Sequence, residues 1–311
     1  MLALVYVFVG VLILYCGGEA LVRGASHLAL KAGISPLIVG LTIVSFSTSM
    51  PEAVSSLIAQ LRGEPGDLAL GNVLGSNIAN IGLILGLTGL LCPVSISNGE
   101  IRRETLLMIG ASLVLAALML TGSVISRGQG LCLFALLIIY VLYQIWMSRG
   151  KREQATDIEQ IGRESVAWEL LLVVVGVGML VGGGYLLIDG AVTVARLFGI
   201  SERVIGLTIV AVGTSLPELA TSLVAAARGH HEISIGNIVG SNLFNILCVV
   251  GGFAAIRPIS FSAQMVNVDL WVMLAFSALL LVYTYSRQEI GRVQAGALLA
   301  GYLSYCVYLL V

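Results

Sequence analysis

Residues 40–63 of this chain return as residues 206–229 with 14 identities in 24 positions. Each copy carries the sequence Thr-Ser-x-Pro-Glu, and each sets one carboxylate, Glu52 or Glu218, inside an apolar run of membrane length. The repeat extends in both directions. Gly17, Gly24, Ala25, Gly33, Ile34 and Ser35 recur at the same offset of 166 as Gly183, Gly190, Ala191, Gly199, Ile200 and Ser201. After one deletion the offset becomes 165, and Gly71-Asn-Val-Leu-Gly-Ser-Asn-Ile-Ala-Asn80 returns as Gly236-Asn-Ile-Val-Gly-Ser-Asn-Leu-Phe-Asn245. The fold must therefore accommodate two equivalent halves. A charge near the bilayer centre costs at least about 2.5–3.5 kcal/mol, so two matched acids mark one site built from both halves.

The bilayer setting follows from composition. Hydrophobic residues make up 58% of the chain, charged residues 11%, and the mean hydropathy is +1.01. The apolar runs are each about 20 residues long, enough to cross roughly 30 Å of hydrocarbon. They predict an all-α membrane protein of ten transmembrane helices at about 2–25, 35–61, 68–91, 104–121, 128–147, 167–195, 203–227, 233–256, 266–285 and 292–310. Strands are not expected, because the runs far exceed the roughly ten-residue alternating segments of a membrane barrel. The expected division is a five-helix half at 1–147, a polar linker at 148–166 and a second half at 167–311, with the repeated blocks at about 35–91 and 201–256. The first run has no basic n-region and no cleavage site and is expected to be retained. The five cysteines lack CxxC spacing and are expected to be packing residues. The net charge of −1 argues against a nucleic-acid partner.

An odd number of helices per half inverts the second half relative to the first. On that topology Arg23, Lys31, Arg102, Arg103, Arg149, Lys151, Arg152, Arg163, Arg228, Arg287 and Arg292 share one face. Only Arg62, Arg127, Arg196, Arg203 and Arg257 lie on the other. The excess of basic residues predicts a cytoplasmic linker and both termini outside. Inverted five-helix repeats are an architecture of secondary transporters, which bind at the midplane where the repeats meet.

Proline supplies the local chemistry. Pro51 and Pro217 have no N–H and push away the carbonyls of Ser47 and Gly213, so helices 2 and 7 are expected to break around Thr48 and Thr214. Backbone freed at membrane depth must line a cavity or be buried in protein. Thr48, Ser49 and Glu52, and likewise Thr214, Ser215 and Glu218, crowd hydroxyl, carbonyl and carboxylate oxygens onto one face of a turn. Hard oxygen ligands with two negative charges suit Ca²⁺ and suit Na⁺ as well. No basic residue occurs between Lys31 and Arg62 or between Arg203 and Arg228 to neutralise either acid from its own helix. The stripes Asn72, Ser76, Asn80 and Asn237, Ser241, Asn245 can complete an oxygen shell without adding charge. The glycines within them are small-xxx-small packing surfaces.

Together the paired Thr-Ser-x-Pro-Glu and Gly-Asn-x-x-Gly-Ser-Asn-x-x-Asn blocks resemble the two α-repeats of the sodium/calcium exchanger family, within the cation/calcium antiporter superfamily. The resemblance spans nearly the whole chain and implies antiport of Na⁺ and Ca²⁺ by alternating access, with no cofactor. It implies that Glu52 and Glu218 are shared by both ions and that Thr48 and Thr214 offer backbone carbonyls to Ca²⁺. It assigns Ser49, Ser76, Asn80, Ser215, Ser241 and Asn245 to the sodium sites, helped by carbonyls near Ser45 and Ala211. The halves are unequal, with Ser47 where the family pattern has glycine and Ser45 opposite Ala211. Asn245 stands where potassium-dependent relatives carry an acid, which speaks against potassium transport. The linker is too short for the calcium-sensing domains of larger relatives, and the compact form implies a prokaryotic cytoplasmic membrane and a chain that functions as a monomer.

The alternative within transport is a proton-coupled exchanger of Ca²⁺ or another divalent cation. An intramembrane enzyme lacks a histidine-rich metal set or a recognisable nucleophile pair, and a scaffold has no use for two buried glutamates. The first and sixth helices, loose with glycine, are expected to slide over the core. Glu19 is expected to pair with Arg23 or lie at the interface, as is Asp189, and His27, His230 and His231 are expected to be solvated.

Overall fold

The computed structural model describes residues 2–61, 66–96, 99–149, 165–198 and 213–310. It is a bundle of helices: α1 (Leu2–Ala32), α2 (Pro36–Thr48), α3 (Met50–Leu61), α4 (Gly66–Ala79, running on through Asn80–Leu85 to Gly86–Leu91), α5 (Gly99–Thr121) and α6 (Arg127–Arg149). There follow α7 (Val166–Leu197), α8 (Leu216–Ala227), α9 (His231–Phe244, running on through Asn245–Val250 to Gly251–Ile256), α10 (Leu270–Ser286, entered through Met265–Asp269) and α11 (Arg292–Leu310). Among the described residues, seven helices are long and apolar enough to cross a membrane. The expected spans are helical wherever they are described, apart from Ser35 and the turns at Ser49 and at Thr214 and Ser215. The linker core at 150–164 and the first part of the seventh span lie outside the described residues.

Four short strands depart from the all-helical expectation. They are β1 (Val94–Ser95), β2 (Val124–Ile125), β3 (Ile259–Ser260) and β4 (Glu289–Ile290), two residues each at helix ends, where the chain turns and its freed N–H and C=O groups need partners. Their pairing displays the relation between the halves. β1 pairs with β4 and β2 with β3, so that Val94 faces Ile290 as Ile259 faces Ile125. The same exchange relates the donation from Ile96 N–H to Gln288 C=O at 2.8 Å and from Phe261 N–H to Ser123 C=O at 3.1 Å. Each half thus completes the other.

Helices α1 and α7 pack against one another on glycine. A Cβ added at Gly176 would stand 2.7 Å from Leu21 N, and one at Gly10 would stand 2.7 Å from Leu187 N. Without a side chain at Gly10, Gly17, Gly176 and Gly183 the two backbones touch, the small-residue packing that holds helices together where lipid is as apolar as leucine. This pair has its own apolar cluster, including Leu14, Leu21, Val173 and Leu180. The larger core gathers the remaining helices around Leu70, Ile78, Met108, Leu243 and Met273.

At one end of the pair Glu169 of α7 is fully buried, its Oε1 3.2 Å from Lys31 Nζ and 2.9 Å from His27 Nδ1. His27 is therefore no solvated loop residue, because α1 continues past residue 25 as far as Ala32 and ends on Gly33, whose φ of 64° favours glycine. Glu19 ion-pairs with Arg228, at 2.7 Å, and so ties α1 to the end of α8. His230 caps the start of α9 and is half-buried, which holds its pKa below the usual histidine value.

Candidate functional site

The first proline motif interrupts its helix and the second opens one, each with a turn at or beside the expected threonine. Ser49, at φ −82° and ψ 2°, separates α2 from α3, and Ser215, at φ −90° and ψ 7°, caps α8. Pro51 and Pro217 supply the cause, since neither can donate back to the residue four positions earlier. The carboxylates of Glu52 and Glu218 lie in the first turns that follow, each 1% exposed.

These side chains meet across the repeat. Ser49 Oγ donates to Glu218 Oε1 at 3.1 Å, and Ser215 Oγ donates to Glu52 Oε1 at 3.4 Å. Thr48 Oγ1 donates to Asn237 Oδ1 at 3.0 Å, joining the first break to α9. Each acid is therefore held by a hydroxyl from the other half. Ser76 and Asn80 on α4 and Ser241 and Asn245 on α9 are buried as well, as is Ser45 on α2. Ser45 spends its hydroxyl on Leu41 C=O at 2.7 Å, with Gly240 giving it room. Among the described residues, Glu218 Oε2, Asn80 Oδ1, Asn245 Oδ1 and Ser241 Oγ are buried acceptors without a hydrogen-bond partner. Buried oxygens left without donors in one small region are what a desolvated cation requires. Thr214 lies within the second turn together with Ser215, and Ala211 lies outside the described residues.

Two members of the polar stripes have other work. Asn72 Nδ2 donates to Ser56 Oγ at 2.9 Å and to Glu52 C=O at 3.3 Å, and Asn237 Nδ2 donates to Ser222 Oγ at 3.0 Å and Glu218 C=O at 3.3 Å. Through these amide nitrogens they brace α4 to α3 and α9 to α8. Two features escaped the sequence reading. Wide π-helical turns begin at Asn80 and at Asn245, in matched positions, and such turns recur at functional sites. Asn77 and Asn242, passed over because they fall between the stripe positions, are fully buried where the halves cross. Their signal was present, since both sit in the repeated Gly-Ser-Asn.

Comparison with known proteins agrees with this geometry. The family model for sodium/calcium exchanger protein matches residues 2–146 and 168–311. The chain is 36% identical over 310 residues to inner membrane protein YrbG of Escherichia coli, an alignment covering 97% of this chain and 94% of that protein. It is 29% identical over 337 residues to sodium/calcium exchanger MaX1 of Methanosarcina acetivorans, covering 96% of each. Among solved structures it is similar to the sodium-calcium exchanger NCX_Mj soaked with 10 mM Na⁺ and zero Ca²⁺, with a TM-score of 0.84, 30% identity and 98% of each chain covered. Matched through both halves, the chain belongs to the sodium/calcium exchanger protein family.

Proposed function

We propose that this protein exchanges Na⁺ for Ca²⁺ across the membrane at the centre where the two helix breaks meet. The reciprocal seating of Glu52 and Glu218 under hydroxyls of the opposite half, beside buried acceptors without a donor among the described residues, carries the reading. Ca²⁺ takes the two carboxylates and the backbone carbonyls of Thr48 and Thr214. Na⁺ takes the same carboxylates with Ser49, Ser76, Asn80, Ser215, Ser241 and Asn245, and with carbonyls near Ser45 and Ala211. Two ionised glutamates in a low-dielectric centre repel one another until a cation neutralises them. The empty site is therefore costly to close and carry across, and the loaded site is not. Competition for one set of oxygens then couples the movement of one ion to the return of the other.

The site is complete within one chain, which supports function as a monomer. The basic residues support a topology with the linker in the cytoplasm and both termini outside. Residence in the cytoplasmic membrane accords with the name of the E. coli relative, an inner membrane protein. The test is ⁴⁵Ca²⁺ uptake into Na⁺-loaded proteoliposomes. Uptake should vanish when Na⁺ is replaced by choline, and it should vanish in Glu52→Ala and Glu218→Ala proteins that remain monodisperse. Uptake that survives in choline at a fixed pH gradient would move the assignment to proton coupling. Full uptake in both variants would remove the site.

A further inference from the structure

An asparagine amide presents a carbonyl oxygen and an NH₂ of nearly equal size, and only the oxygen can meet a cation. Asn80 and Asn245, each 1% exposed, therefore need something to decide which end faces the site. The structure contains such a device, and it is crossed. Asn80 Nδ2 donates to Asn242 Oδ1 at 2.9 Å, and Asn245 Nδ2 donates to Asn77 Oδ1 at 3.0 Å. The partner amides are themselves fixed. Asn77 Nδ2 lies 3.4 Å from Asn242 C=O and 3.7 Å from Met273 Sδ, and Asn242 Nδ2 lies 3.4 Å from Asn77 C=O and 3.5 Å from Met108 Sδ. With their donor ends spent on the opposite backbone, Asn77 and Asn242 have only an acceptor left to offer. That acceptor consumes the NH₂ of Asn245 and Asn80 and leaves the Oδ1 atoms of both without a partner among the described residues.

We infer that Asn77 and Asn242 are positioning residues, each fixing the amide of the other half's asparagine so that oxygen and never NH₂ meets the ion. The inference rests on the reading of Asn80 and Asn245 as ion ligands. It assigns to a residue in one half control over a ligand in the other. Neither Asn77 nor Asn242 touches the ion. The lock also explains why four asparagines in matched places are tolerated at the centre of an apolar bundle: each amide nitrogen has an acceptor, and the two amide oxygens left over are those assigned to the ion.

The experiment is Na⁺-driven ⁴⁵Ca²⁺ exchange in proteoliposomes across a Na⁺ titration. Asn80→Ala and Asn245→Ala should raise the Na⁺ half-saturation concentration, and Asn77→Leu and Asn242→Leu should raise it about tenfold, the worth of one net hydrogen bond, with maximal rates within about twofold. A merely structural role would lower the rate with the amount of folded protein and leave half-saturation alone. Double variants read the crossing. Asn77→Leu with Asn245→Ala should be no worse than Asn245→Ala alone, whereas Asn77→Leu with Asn80→Ala should multiply. The opposite coupling, or an unchanged half-saturation in both leucine variants beside a raised one in the alanine variants, overturns the lock while leaving the ligand reading intact. Unchanged half-saturation in Asn80→Ala and Asn245→Ala overturns both. Should Asn77→Leu fail to yield monodisperse protein, Asn242→Leu with Asn80→Ala reports the same cycle from the other side.

Discussion

Glu218 is a fully enclosed carboxylate whose Oε1 is met by a serine hydroxyl from the other half. Buried acids elsewhere are neutralised by cations: Arg103 Nη2 lies 2.6 Å from Glu104 Oε1, and Lys31 lies against Glu169. A carboxylate buried beside hydroxyls and unfilled acceptors lowers stability until an ion arrives. The expected outcome is that Glu218→Gln melts no lower than the native protein in ion-free detergent yet loses the Ca²⁺-dependent rise. A ligand at 100 times its Kd stabilises by about 2.7 kcal/mol, so the contrast is well within calorimetric reach. A Ca²⁺-induced shift of full size in Glu218→Gln would place the ion elsewhere. At this scale the acids, the hydroxyls and both prolines were legible in the sequence because the repeat flags each of them twice. The orientation of the asparagine amides was not, since it depends on partners across the bundle rather than on spacing along one helix.

Helices α1 and α7 form the second scale. Gly176→Ala pushes a methyl to within 2.7 Å of Leu21 N, whereas at Gly178, two residues on, nothing lies within 4 Å. Alanine is intrinsically favoured over glycine in a helix by about 1 kcal/mol, so Gly178→Ala should be neutral or stabilising. Gly176→Ala should cost about 1–3 kcal/mol by overpacking, read as a fall in thermal midpoint. Equal midpoints would mean that the two helices stand further apart than their glycines imply. The same pair is pinned at Glu169, where removing both of its partners, as in His27→Ala with Lys31→Met, strands a buried charge and should cost about 3–5 kcal/mol. Glu169→Gln in that background should restore most of the loss, and failure to do so would show that packing, not charge, holds that end. The sequence reading took these glycines as looseness. Their close contact argues instead that α1 and α7 move as one body, which any sliding over the core must respect.

For the whole molecule, the membrane-spanning helical character was legible from length and hydropathy, and the internal repeat set the expectation of two halves. The strand pairs were not, because two residues at a helix end carry no periodicity to detect. Those pairs join β1 to β4 and β2 to β3. On the proposed topology of five crossings in each half, the turn before α6 and the linker after it face opposite sides. In a cysteine-free background, Gln154→Cys should react with an impermeant maleimide only from the cytoplasmic side and Ser123→Cys only from outside. Labelling of both from one side would refute the inverted topology.

The same strand pairs set an order of events during synthesis. The first half's acid has no opposing serine until Ser215 has been made, and Val94 waits longer still, until Ile290 has left the ribosome. Contacts so distant along the chain form late and slowly. A nascent first half therefore waits for its opposing site residues, and the strand pair that joins Val94 to Ile290 closes later. A chain truncated before β4 leaves β1 permanently without its mate, so quality control can recognise an unfinished exchanger by the same contacts that finish it.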